Sequence, residues 1–180
     1  MTDSPIAGGA AQPDDASSAA ARLDALLQAA VARLSAAGAR TEALGAVREP
    51  RGLGPFKSAA AIVPVGEAWR LGVLLVGTDG GLAAVGRITR ATETGRPQNL
   101  SAGVEQRRAE RVAATRGRFT AGTVVNFEFA EVSRDPADWT LADPLELDGD
   151  RIVVRWGAFR SESRELAAYL DDRIALLLDE

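Results

Sequence analysis

A chain of 180 residues suits one domain with a short tail, and its formal net charge of -4 argues against a generally basic nucleic-acid binder. Cysteine and histidine are both absent, which excludes disulfides, thiolate nucleophiles, iron–sulfur clusters and every Ser-His or Cys-His arrangement, and removes the usual zinc ligands. Neither a metal nor a cofactor is expected.

Residues 1–14 combine Pro, Gly, Ala, Asp and Gln around an isolated Ile6, so a disordered tail is expected ahead of one α+β domain over 15–180. The acids in this stretch do not suit a secretory leader, and no apolar run of membrane-spanning length follows, so a cytoplasmic protein without membrane contact is expected. Residues 15–37 place Leu23, Leu26, Leu27, Ala30, Val31 and Leu34 at helical spacing, with Asp15 or Ser17 to cap the helix and Gly38 to stop it. Residues 38–58, punctuated by Gly and Pro, read as a connector with room for one short helix from Thr41.

A sheet with two further helices is expected over 59–180. "AAIVPV" carries Pro64 and reads as an edge strand or a bulge. "WRLGVLLVG" is apolar on both faces and reads as one central strand, and "TDGG" turns it into a hairpin over 69–90. Ser101 is placed to cap a helix ending near Gly117. "TVVNFEFAEV" then alternates as a half-buried strand, with Val125, Phe127 and Phe129 on one side. "LELDGDRIVVRWGAF" is a second hairpin turning at Asp148-Gly149, and a last helix over 162–178 aligns Leu166, Leu170, Ile174 and Leu177. The class is α+β: a mainly antiparallel sheet built from two hairpin-containing halves and packed by three main helices. An internal duplication of the halves stays open.

Charge is unevenly spread. Residues 87–118 hold eight arginines against three glutamates, whereas residues 128–180 hold fourteen acids against six arginines. Lysine occurs once, at Lys57, so much of the arginine richness is composition. Arg107 and Arg111 are nevertheless like-charged i,i+4 neighbours on one helix, a pairing that calls for an anion or a carboxylate beside it. Three readings are open: pairing with the acidic half or plain solvation, a small anionic ligand, and nucleic acid. No stacking aromatic lies between Arg87 and Arg118 and no glycine-rich phosphate loop precedes the helix, so nucleic acid is the least favoured. The loop "TETGRPQNLSAG" brings Arg96, Gln98, Asn99 and Ser101 to the helix start, where a carboxylate or amide could be held. These four, with Arg107 and Arg111, are the candidate ligand-binding residues.

Other chemistry is thinly supported. Lys57 and Ser58 are adjacent in a Gly/Pro loop, where neighbouring side chains diverge, and no Ser precedes Lys57 by three positions. Glu128, Glu131, Asp135 and Asp138 follow no calcium-loop pattern.

The segments "IVPVGEAWRLGVLLVG", "GRPQNLSAG", "TVVNFE", "RWG" and "YLDDRIALLL" resemble a family of short actinobacterial proteins that carries the name glutaminase. The resemblance implies hydrolysis of glutamine to glutamate and ammonia. Known glutaminases attack with a Ser-x-x-Lys serine or a cysteine, and this chain has neither; Thr2, which loss of Met1 would expose, lies in the expected tail. No catalytic residue therefore carries over. The expectation is a non-catalytic binding or accessory module whose partners are a small anionic or amide ligand, another protein or a second copy of itself. The alternatives are the amide hydrolase of the resemblance, and anion or nucleic-acid binding through the helix over 101–118.

Overall fold

The structure, a computed structural model, describes residues 13–50, 59–92, 101–157 and 161–179. Residues 1–12 of the expected tail and the stretch holding Lys57 and Ser58 lie outside them. In chain order the elements are α1 (Pro13–Ala36), β1 (Glu42–Arg48), β2 (Ala61–Leu71), β3 (Leu74–Gly77), β4 (Leu82–Ala84), β5 (Arg87–Arg90) and α2 (Ala102–Arg116). They continue with β6 (Val124–Phe127), β7 (Ala130–Glu131), β8 (Leu145–Asp148), β9 (Arg151–Trp156), β10 (Glu162–Glu165) and α3 (Leu166–Leu178). This is the α+β class with three helices and mainly antiparallel pairing that the pattern predicts. None of the helices among the described residues is long and apolar enough to cross a membrane.

Several elements differ from expectation. The first helix begins at Pro13, inside the expected tail. The connector's expected short helix is instead β1, which sits between β2 and β6. The apolar run after Trp69 is two strands, because Gly72 at φ 64 opens a two-residue turn between Leu71 and Leu74. That turn is held from outside: the fully buried Tyr169 hydroxyl on α3 accepts from Val73 N–H at 2.9 Å and donates to Leu71 C=O at 3.1 Å. Pro64 does mark a bulge, since the β1–β2 register shifts between Leu44 and Gly45, but β2 is not an edge. Residues 162–165 form β10 and α3 starts only at Leu166.

Seven strands form one sheet in the order β5-β6-β1-β2-β3-β4-β7, and three form a second in the order β10-β9-β8. All pairs are antiparallel except β1 with β6. The two halves of the chain are therefore not independent, because β6 and β7 complete the first sheet. Each end of the seven-stranded sheet is continuous in sequence with a strand near the other end: β4 runs into β5, and β6 into β7. Along these runs β4 pairs with β7 and β5 with β6, so the sheet curls until its ends meet. The bend falls at Gly86 and Glu128. Glu128 takes φ 52, and a Cβ on Gly86 would stand 2.0 Å from Glu128 O, so the two backbones touch where only glycine fits.

One face of the curled sheet carries the helices. Leu23, Leu27 and Leu34 of α1 and Leu166, Leu170 and Ile174 of α3 pack with Trp69, Leu74 and Val76 and with Ile152 and Val154 of the small sheet. Beside them α2 lays Ala113 and Ala114 on Ile62, Val125 and Phe127. Small residues on the helix allow this close seat, and Gly117 extends it: a Cβ there would be 1.5 Å from Ile62 O. The other face is a small apolar patch of Ala68, Leu75 and Ala83 flanked by Leu44, Val85 and Phe129.

Candidate anion-binding cleft

Docking of α2 across β2 and β5 determines where its arginines stand. Residues of β5 alternate: Thr89 is buried towards the helix side, while Ile88 and Arg90 are exposed. Between α2 and β5 lies a cleft of about 270 Å³, walled by Thr89, Arg90 and Val124 on the sheet side and by Arg107, Glu110 and Arg111 on the helix. Arg107 and Arg111 are one turn apart and both open to solvent.

The carboxylate inside this cleft is already engaged. Glu110 takes a short ion pair from Arg87, which also reaches Glu128 at 3.5 Å and lies 5.3 Å from the centre of the Phe127 ring. Arg90 donates through Nη1 to Gly122 C=O at 3.0 Å, which orients it while leaving its charge uncompensated. Neither the Arg107 nor the Arg111 guanidinium has an ion pair or hydrogen bond with a described residue; Arg111 is bonded only through its carbonyl, which accepts from Thr115 Oγ1 at 3.0 Å besides its helix bonds. Among the described residues the acidic half does not reach them: its carboxylates pair with Arg33, Arg151, Arg155 and Arg164. Arg107 and Arg111 from α2 and Arg90 from the edge strand β5 thus line one concavity, whose only acid among the described residues is held by Arg87. A guanidinium offers planar, charged N–H donors of the kind that suit carboxylate or phosphate.

Of the residues singled out in the sequence, Arg107 and Arg111 are brought together here. Ser101 sits at the start of α2, exposed, and its side chain makes no cap hydrogen bond; its carbonyl accepts from Val104 and Glu105 N–H instead. Arg96, Gln98 and Asn99 lie outside the described residues. Arg90 is the residue that sequence reasoning missed, although its place on an alternating "RITR" strand was a usable signal. Of the carboxylates after Phe127, Asp135 caps a short helical turn through Ala137 N–H, and Asp138 accepts from Ser133 Oγ at 2.7 Å. Among the described residues no group of three or more acids is arranged to hold a metal ion.

The opposite face of the sheet offers two further features. A shallow trough of about 430 Å³ lies over Leu44, Ala68, Leu75 and Phe129, with Asp79, Glu131 and Arg134 at its rim. Buried Asn126 donates to Glu42 Oε2 at 2.6 Å and accepts from Arg70 at 3.4 Å, which satisfies its amide within the sheet.

Compared with protein-family models, curated proteins and solved structures, the chain matches none of them.

Proposed function

We propose that the protein is a non-catalytic binding module that takes an anionic ligand, through its carboxylate or phosphate groups, in the cleft between α2 and β5. The observation that carries this reading is that Arg90, Arg107 and Arg111 line one concavity in a chain of net charge -4, with the last two lacking a counter-charge among the described residues. Like charges one turn apart cost an isolated helix a few tenths of a kcal/mol. An anion seated between them reverses that term and gains charge-assisted hydrogen bonds, bidentate where the group is planar.

The test is thermal. Citrate at a hundred times its dissociation constant adds about 2.7 kcal/mol of stability, which raises the melting temperature by several degrees. The shift is expected to shrink as sodium chloride rises, because the cleft is open and its charges are screened. An unchanged melting temperature with citrate, pyrophosphate and glutamate at low salt would contradict the reading. The amide hydrolysis implied by the resemblance is a separate proposal: ammonia released from glutamine by the folded protein and lost on heat denaturation would replace binding with catalysis.

A further inference from the structure

We infer that the ligand of this cleft is an acidic peptide in extended conformation, added as a strand to the free edge of β5. The inference rests on the anion-binding reading above and supplies what that reading leaves open, the class of molecule that carries the anions.

The backbone register makes the case. Ala91 N–H donates to Thr123 C=O at 2.9 Å, which puts the β5–β6 pairs Thr89 with Val125 and Arg87 with Phe127 at the hydrogen-bonding positions. The N–H and C=O groups of Ile88 and Arg90 consequently face away from β6, the Arg90 carbonyl accepting a long bond from Thr92 Oγ1 at 3.5 Å that an added strand would replace. On that side β3 covers the run only as far as Val85, whose N–H reaches Val73 C=O at 3.0 Å, and the sheet order ends at β5. Among the described residues no strand pairs with the outer edge of β5. An open edge of this kind is a template for an added strand.

The side chains specify the strand. Exposed, open edges are commonly blunted by charge, and here the charge is of one sign and lies over a concavity, which selects a partner of opposite sign. Alternate residues of a strand are about 6.7 Å apart, close to the rise of about 6 Å between Arg107 and Arg111 along α2. A Glu-x-Glu segment therefore presents two carboxylates at the spacing of the two guanidinium groups. The intervening side chains lie on the face of Ile88, which is 47% exposed and available as a cross-strand apolar contact. The peptide that fits alternates acid with β-branched or other apolar residues.

The experiment uses the full chain and a fluorescent peptide of alternating Glu and Val, six residues long, followed by anisotropy. Two further peptides carry N-methyl groups on alternate amides, one in each register. The expected result is that one methylated register binds at least tenfold more weakly than the parent while the other stays within twofold, and that Arg107→Gln with Arg111→Gln abolishes binding of the parent. Equal binding by all three peptides would overturn strand addition while leaving the anion reading intact. Binding of citrate without any binding of the parent peptide would do the same. Failure of both citrate and peptide would remove the two readings together.

Discussion

Gly117→Ala is expected to destabilise the protein by about 3 kcal/mol or more, at the upper end of overpacking costs, and to lower its melting temperature by roughly 6–12 °C. The added methyl has no room: its ideal position is 1.5 Å from Ile62 O and 2.6 Å from Ile62 C, both backbone atoms of β2. No rotamer relieves such a contact. Either α2 lifts from β2, which opens the small cluster of Ile62, Ala114, Val125 and Phe127, or β2 shifts against β1, with which Ile62 pairs opposite Val47. Gly117 has φ -72, so the requirement is space and not a left-handed backbone. Gly103, in the first turn of the same helix, provides the control. Among the described residues a Cβ there meets nothing nearer than the Arg107 guanidinium at 3.8 Å, and Gly103→Ala is expected to be neutral or to stabilise by less than about 1 kcal/mol through helix propensity. Denaturant titration of both variants checks the opposite signs.

Reversing the charges of the helix pair is the second large effect. Arg107→Glu combined with Arg111→Glu is expected to weaken citrate binding by about 2 kcal/mol or more, roughly thirtyfold. Each guanidinium loses a charge-assisted hydrogen bond, worth less in an open cleft than in a dry one, and each new carboxylate repels the ligand. The fold should be unaffected, since both side chains are exposed and neither has a partner among the described residues. Two glutamates one turn apart repeat the like-charge cost of the arginines, so the melting temperature without ligand should move little. Calorimetric titration of the double variant, with its unliganded melting curve alongside, separates lost binding from lost folding.

Much of the architecture was legible in the sequence because its signals are local. Leu23, Leu27, Ala30 and Leu34 are the buried stripe of α1, Leu166, Leu170 and Ile174 are that of α3, and the Asp148-Gly149 turn has its glycine at φ 63. What was not legible depends on partners far away in the chain. β1 is written in small and charged residues, and it is a strand because it lies between β2 and the parallel β6. The run "TVVNFEFAEV" alternates on paper, yet Glu128 takes a positive φ, and Phe129 leaves the side of Phe127 for the apolar patch on the opposite face. That one reversal bends the strand and lets the sheet close.

The cleft follows the same division. The like-charged pair Arg107 and Arg111 could be read from a four-residue spacing. That Arg90 would join them, and that Glu110 would be spent on Arg87, depends on how α2 docks over β5. The docking is set by Ala113, Ala114 and Gly117, residues whose importance is their smallness and which carry no chemical signal.

The most direct measurement is a map of backbone amide shifts as citrate is titrated into the isotopically labelled protein. Binding in the cleft predicts saturable shifts confined to Ile88–Arg90, Arg107–Arg111 and Val124, with little change around the trough over Leu75 and Phe129. Shifts centred on that trough, scattered over the arginines of the whole surface, or absent would contradict it.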